Sequence, residues 1–289
     1  IYAEDPTRNF LPSTGRLVTY RPPAEGPDGA ATVRNDTGVF EGGEISIFYD
    51  PMIAKLVTHA PTRIEAIEAQ ARALDAFAIE GIRHNIPFLA TMMAQERWRS
   101  ARLSTGYIAE EFPEGFALTA PSGALARRIA LVAFAIDHVQ NLRKRAISDQ
   151  MEGWRTVTFE AERVVMLGDA VFGGAVSGAL NAVSVSFDDG TEAEVVSDWR
   201  PGQPVWRGLV DGERIAVQVR PIQNGVTLAH AGTHAAARVY TRREAELAAM
   251  MPAKVAADTS KVLLCPMPGL VKAISVSAGQ EIKAGEQLC

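Results

Sequence analysis

Residues 154–240 alternate apolar with polar side chains, and this period of two limits the possible folds more than any other feature of the chain. In residues 183–187 and 215–219, valine, isoleucine or phenylalanine occupies every second position. Because successive side chains of a β-strand point to opposite faces, each run predicts a strand with one buried face. The steps Asp189-Gly190 and Asp211-Gly212 between such runs are typical of tight hairpin turns. Together these signals predict a small antiparallel barrel or sandwich.

A long helical pattern precedes the predicted barrel. Ser122 is a candidate helix cap, and apolar residues then recur every three or four positions from Leu125 through Ile129 to Val139. We predict one helix that continues to about Met151, which gives roughly 30 residues and a length of ~45 Å. A typical globular helix has about 11 to 12 residues, so this helix needs a large surface to lie against.

The residues before this helix mix both kinds of secondary structure. Short β-type runs occur at residues 16–20 and 44–48, between turns rich in proline and glycine. Apolar residues spaced three or four apart predict an amphipathic helix from Thr62 to near Gly81, and a second helix begins at Pro87 and runs to about residue 99.

The predicted fold class is therefore α+β, in three parts. Residues 1–118 form the first part, and residues 119–251 contain the long helix and the antiparallel β-barrel, with a last helical stretch at 241–251. Residues 252–289 hold a polar linker and a short segment with turns at Gly279 and Gly285. Because about 30 residues bury too little apolar surface to fold alone, we expect the chain to be a piece of a longer protein.

Composition excludes several classes of function. The net charge is -5 with scattered basic residues, which argues against a nucleic-acid surface. The two cysteines, Cys265 and Cys289, have no metal or disulfide spacing, so a reducing compartment fits best. His230 and His234 would suit a metal only on a helix, and Gly232 lies between them in a β-type region, so no metal site is predicted. The longest apolar stretch is too short to span a membrane.

Two groups of motifs carry a family resemblance. The run Cys265-Pro266-Met267-Pro268-Gly269 and the glycines that follow it resemble the first half of a biotinyl carrier domain, although a lipoyl domain would explain the glycines equally well. At the other end, residues 2–6, 10–15, 49–56 and 81–87 resemble the C-terminal domain of biotin carboxylase. These are Tyr-Ala-Glu-Asp-Pro, Phe-Leu-Pro-Ser-Thr-Gly, Tyr-Asp-Pro-Met-Ile-Ala-Lys-Leu and Gly-Ile-Arg-His-Asn-Ile-Pro.

The order of the parts resembles the biotin-carrying α-subunits of acyl-CoA carboxylases. Residues 240–247 and 258–263 favour the propionyl-CoA carboxylases, and the 3-methylcrotonyl-CoA carboxylases share the layout. The resemblance implies that the full-length subunit uses ATP, magnesium and biotin, that a biotin protein ligase loads it, and that a carboxyltransferase β-subunit completes a hetero-oligomer. It implies the bacterial cytoplasm or the mitochondrial matrix, and neither nucleic acid nor a membrane as partner.

The resemblance also suggests where the chemistry lies. A catalytic arginine precedes the first motif in that family and the biotinyl lysine follows the last one, beyond Cys289, so we expect no cofactor site in this chain and no carboxylation of biotin by the chain alone. Asp50 is the one catalytic candidate, because its motif borders the active site and its carboxylate could orient an arginine. Asp before Pro is also a common turn residue. Glu4 and Asp5 are weaker candidates near the same arginine.

The predicted partner-binding segment joins the long helix to the first strand. It consists of Met151, Glu152, Gly153, Trp154 and Arg155. An aromatic residue on such a connection can anchor a partner protein. A non-catalytic assembly module, in which the helix and barrel only bring other proteins together, is the alternative to an enzyme subunit.

Overall fold

The computed structural model describes residues 1–46, 48–147, 158–252, 270 and 272–280. The chain divides into two compact units, Ile1–Ala248 and Ala249–Cys289. The larger unit contains a first part, residues 1–118, and a closed barrel. The three-part division at residues 118 and 251 stays a prediction.

The first part is built from short antiparallel strands and four helices. Its pairs are β1 with β2, β3 with β7 and β4 with β9, and β5-β6-β8 form a three-stranded sheet. The strands are β1 Glu4–Asp5, β2 Leu11–Pro12, β3 Gly15–Arg16, β4 Thr19–Arg21, β5 Gly26–Asp28, β6 Ala31–Thr37, β7 Glu44–Ile45, β8 Ala54–His59 and β9 Ala78–Glu80, and the helices are α1 Arg63–Asp75, α2 Ile86–Ala94, α3 Glu96–Arg99 and α4 Tyr107–Glu111.

The start of α1 agrees with the sequence pattern, but its end does not. Thr62 caps the helix through a reciprocal capping box with Glu65. The helix ends at Asp75 rather than near Gly81, because residues 78–80 pair with β4 as strand β9. The second predicted helix is also divided: Gln95 has an extended backbone, with ψ at 133°, which separates α2 from α3. Long-range strand pairing and one extended residue thus override the local helical pattern.

An eight-stranded antiparallel barrel follows. Each strand is hydrogen-bonded to its neighbours in sequence, and β10 pairs with β17 to close the circle. This confirms the predicted barrel, and both Asp-Gly steps lie in hairpin turns between its strands. The elements are α5 Gly123–Arg145, β10 Glu162–Leu167, β11 Ala170–Gly178, β12 Ala182–Phe187, β13 Glu192–Ser197, β14 Val205–Val210, β15 Glu213–Ile222, β16 Gly225–His230, β17 Thr233–Tyr240 and α6 Arg242–Ala249.

The long helix α5 lies inside the barrel. Residues 129–136 are at most 3% exposed on every face of the helix, and α5 contacts strands from all round the barrel. The inward faces of the strands supply mainly valine, with Trp206 and Leu228. A helix enclosed by a sheet must be apolar on all sides, and residues 129–136 contain no polar residue. The barrel is therefore the large surface that the length of the helix required.

The end of α5 differs from the prediction. The helix spans 23 residues and ends at Arg145, not near Met151. Its last turn is Arg143, Lys144 and Arg145, all exposed, so no apolar residue there packs on the barrel. Without such packing a further turn has little to stabilise it, although the three cations favour the C-terminal end of the helix dipole.

The second compact unit is described only in part. Residues 277–280 form a turn in which the Gln280 N–H donates to the Ser277 carbonyl at 3.1 Å, and Gly279 has a φ of 87°. The predicted turn at Gly285, both cysteines and most of the predicted hammerhead lie outside the described residues. Among the helices that the structure describes, none combines the length and apolar character needed to cross a membrane.

Candidate functional site

The structure brings all four motif segments of the first part together at one edge, and Ser13 links the segment 10–15 to Ala3 and Arg83. The Ala3 N–H donates to the Pro51 carbonyl at 2.8 Å, and the Tyr2 N–H donates to the Asn85 side-chain oxygen at 2.9 Å. Ala3 is fully buried and Asn85 is 8% exposed, so these bonds are shielded from water. Residues separated by more than 80 positions thus form one rigid edge, and the loop around residue 50 is fixed on it.

Asp50 lies exposed on this edge and faces a second acid. Its Oδ1 accepts the Met52 N–H at 3.1 Å, which is the turn role open to any Asp before Pro. Partial burial, and then the negative charge of Asp50, raise the pKa of Glu4 above its ordinary value. The two carboxylates therefore repel each other and together favour a cation between or beside them.

Asp5 has a different, local role. Its Oδ1 accepts the Thr7 hydroxyl at 2.6 Å and the Thr7 N–H at 3.0 Å, which caps the short 3-10 turn at residues 6–8. The hydrogen bond from the Thr7 side chain lowers the pKa of Asp5. Of the two acids in the first motif, Glu4 is therefore the one directed to Asp50.

A cavity of about 270 Å³ with a mixed polar and apolar lining is present where the first part meets the barrel, and its wall includes Arg83, His84, Arg220 and His234. Burial, reinforced by the charge of Arg220, lowers the pKa of His84 to about 4. Burial and the same two arginines lower the pKa of His234. Both imidazoles are thus neutral near pH 7.

Side chains of the barrel form hydrogen bonds with the C-terminal end of α1, beside this cavity. The Gln218 amide donates to the Leu74 and Phe77 carbonyls at 3.3 Å and 3.0 Å, and the Arg207 guanidinium donates to the Ala76 carbonyl at 3.2 Å. Carbonyls in the last turn of a helix and just after it have few partners within the helix, and here barrel side chains bond to them. The first part and the barrel are therefore joined by directional bonds.

A hairpin turn of the barrel inserts at the same junction. The turn between β16 and β17 has Ala231 and Gly232 at φ values of 51° and 76°. A Cβ at Gly232 would lie 2.7 Å from the backbone nitrogen of Thr91 in α2. Glycine is required here both by the positive φ and by the close approach of the helix.

We expect Gly232→Ala to destabilise the chain by about 1–3 kcal/mol more than Gly212→Ala, because only the first adds overpacking to the backbone strain. Gly212 is the matched control: its φ is 80° in the same kind of hairpin turn, but nothing lies within 4 Å of its would-be Cβ. Urea unfolding of the two variants measures the difference. Equal losses would mean that the contact with Thr91 contributes nothing.

Two further groups of residues were considered in the sequence. The predicted partner-binding residues Met151, Glu152, Gly153, Trp154 and Arg155 lie outside the part of the chain that the structure describes. Within the described ranges, no three His, Cys, Asp or Glu side chains form a group that could hold a metal ion. His230 and His234 lie on opposite strands of a hairpin, not on a helix.

Sequence reasoning missed the residues of the junction. Across it, Nδ1 of the buried His230 lies 2.9 Å from Oδ2 of the buried Asp75. No sequence signal marked this pair, because the helical pattern extends to near Gly81 and only the structure shows that α1 ends at Asp75.

Comparison with known proteins gives matches for both parts. Residues 1–110 match the family model of the biotin carboxylase C-terminal domain, and residues 129–254 match that of the propionyl-coenzyme A carboxylase BT domain. The propionyl-CoA carboxylase alpha chain of Ruegeria pomeroyi is 46% identical, and the match covers 100% of this chain and 44% of that protein. The mitochondrial propionyl-CoA carboxylase alpha chain of Homo sapiens is 36% identical, with 100% and 40% covered.

A relative with another substrate is more distant. The mitochondrial methylcrotonoyl-CoA carboxylase subunit alpha of Dictyostelium discoideum is 28% identical, with 100% of this chain and 42% of that protein covered. The chain spans about two fifths of the length of these relatives. A biotin carboxylase C-terminal domain joined to a helix-filled barrel defines part of a biotin-dependent carboxylase. Over its whole length the chain is similar to part of the propionyl-CoA carboxylase α-chains, through a biotin carboxylase C-terminal domain followed by a propionyl-coenzyme A carboxylase BT domain.

Proposed function

We propose that this chain is the segment of a propionyl-CoA carboxylase α-subunit that joins the biotin carboxylase domain to the carboxyltransferase β-subunit. The observation that supports it best is the junction, in which Gln218 and Arg207 of the barrel bind the end of α1 directly. A docking domain fixed to the catalytic domain sets the distance that a carrier domain has to travel. In the full-length enzyme the α-subunit would carboxylate biotin with ATP, and the β-subunit would then transfer the carboxyl group to propionyl-CoA, which gives methylmalonyl-CoA.

The role of this chain in the reaction is to position a cation. An enolate formed on biotin requires a fixed positive charge near its ureido oxygen, as in an oxyanion hole. Glu4 and Asp50 are both acids and would repel that oxygen, so they do not fit biotin itself. They suit instead a guanidinium group, which one carboxylate can bind through two parallel hydrogen bonds. We assign them to orienting an arginine of the full-length subunit.

The cofactors and the location follow from the same proposal. Biotin, ATP and magnesium would belong to the full-length subunit, and the described residues offer no group that holds magnesium. A biotin protein ligase would load the carrier lysine. The assembly would contain α- and β-subunits, in the bacterial cytoplasm or in the mitochondrial matrix.

Binding to the β-subunit tests the docking role. The purified chain is titrated with carboxyltransferase β-subunits of propionyl-CoA carboxylase and of 3-methylcrotonyl-CoA carboxylase, and we expect saturable binding to the first. Trp154→Ala should weaken this binding by about thirtyfold, which corresponds to a hot-spot loss of about 2 kcal/mol. Phe40→Ala, at an exposed aromatic residue of the first part, is the control and should bind normally.

The other outcomes each have a meaning. Preference for the 3-methylcrotonyl enzyme's β-subunit would assign the chain to that sister enzyme, and binding to neither would contradict the docking proposal. Avidin capture of the full-length native protein, followed by bicarbonate fixation with propionyl-CoA, tests the enzymatic part. A protein that avidin does not capture would favour the alternative of a non-catalytic assembly module.

A further inference from the structure

The junction between the first part and the barrel contains a buried contact between an aspartate and a histidine. Asp75 is the last residue of α1, and His230 is the last residue of strand β16 in the barrel. The His230 Nδ1 lies 2.9 Å from Asp75 Oδ2, and Asp75 Oδ1 accepts the Ala231 N–H at 2.8 Å. Their side chains are only 10% and 9% exposed. One carboxylate thus binds both the ring and the backbone of the hairpin turn.

The surroundings favour the protonated form of His230. The ring nitrogen Nδ1 also lies 2.8 Å from the Ala216 carbonyl, so that its proton is shared between two oxygens. The negative end of the α1 dipole and the Asp75 carboxylate both attract a positive charge at this point. Arg128 of α5 opposes it, although Glu213 at the start of β15 forms an ion pair with Arg128.

The balance of these effects gives the direction of the pH dependence. Burial alone would lower the pKa of His230, but the hydrogen bond and the charge of Asp75 outweigh it and raise the pKa above 6.5. A group with a raised pKa in the folded state stabilises that state most at low pH, and the contribution is lost as the pH rises through the raised value. The junction is therefore tightest when His230 carries two protons.

We propose that His230 is a positioning residue whose proton controls how firmly the barrel holds the first part of the chain through Asp75. Neutral His230 still donates one hydrogen bond to Asp75, so loss of the proton loosens the junction without breaking it. The weaker state is one in which the Ala231–Asp75 bond opens more often.

The consequence for catalysis rests on the proposed function: a looser junction lets the docking barrel move relative to the biotin carboxylase domain. A carrier that shuttles between two active sites depends on the distance between them. Alkaline pH would thus widen the range of distances between the two active sites that the carrier has to cover.

The test follows His230 and the Ala231 amide in the intact chain. The pKa of His230 is measured from the NMR titration of its imidazole, and hydrogen exchange at Ala231 is followed from pH 6 to pH 9 and corrected for the intrinsic rate. We expect a pKa above 6.5 and a protection factor at Ala231 that falls roughly five- to thirtyfold with rising pH, the upper part of the range for a cation at a helix C-terminus, because His230 is buried.

Three variants separate the proposal from a purely structural role. In Asp75→Asn the pKa of His230 should fall below its native value, and in His230→Gln protection at Ala231 should no longer vary with pH. His138→Gln is the control, because His138 contacts the Gly178 carbonyl elsewhere in the barrel, and it should keep the native pH profile.

Two results would overturn the proposal: a native His230 pKa at or below 6.5, or a pH dependence at Ala231 that persists in His230→Gln. If the Asp75 and His230 variants do not fold, the pKa of His230 in the native chain tests the proposal by itself. Neither biotin nor a partner subunit takes part in these measurements, so their failure would leave the proposed function standing, and failure of β-subunit binding would leave this proposal standing.

Discussion

Replacing Phe134 by alanine is expected to lower the free energy of unfolding by about 3–5 kcal/mol. Phe134 is fully buried in the enclosed part of α5, and its ring packs edge to face against Phe187 of the barrel wall, with 6.0 Å between the ring centroids. The strands around it are hydrogen-bonded in a closed circle, so they cannot collapse onto the cavity that the substitution leaves. We therefore expect a value in the upper half of that range, measured by urea unfolding at pH 7.

Arg143→Ala is the matched control on the same helix. Arg143 is exposed in the last turn, where only its interaction with the helix dipole is lost, so we expect a change of less than about 1 kcal/mol. A loss of similar size for Phe134→Ala would contradict the placement of α5 inside the barrel.

The barrel could be predicted from the sequence because its signals are local. The alternation along residues 183–187 and the turn signal Asp189-Gly190 each involve neighbours in the chain. The place of α5 was not predicted, although residues 129–136 hold a signal for it: eight successive apolar residues fit a helix that is enclosed, not one that lies on a surface.

Contacts between distant residues explain what could not be predicted. Strand β9 exists because residues 78–80 pair with β4, which overrides the helical pattern that reaches them. Glu4 and Asp50 were each proposed near one arginine, but their mutual repulsion follows only from the fold. Asp75 and His230 are joined across 155 positions of the sequence, and no local pattern pairs an acid at a helix end with one histidine among five.

Breaking the buried ion pair of Arg163 is expected to cost about 3–5 kcal/mol. Arg163 is 6% exposed on β10, and its Nε lies 3.1 Å from Asp137 Oδ2 on α5. Arg163→Met keeps much of the apolar volume but leaves the Asp137 carboxylate largely buried, with the Asn141 amide at 2.8 Å as its neutral partner. Urea unfolding at pH 7 measures the loss.

The pH dependence of this variant gives a second test. Burial raises the pKa of Asp137 even with Arg163 present, and removal of the cation should raise it further. A carboxyl group with a raised pKa in the folded state destabilises that state as the pH rises through the raised value, so Arg163→Met should lose more stability at pH 8 than at pH 5. Asp137→Asn in the same chain removes the uncompensated charge, and the double variant should recover part of the loss and show a weaker pH dependence. If the Arg163→Met variant is as stable at pH 8 as at pH 5, the Asp137 carboxylate must be solvated by water in that variant, which would contradict the prediction.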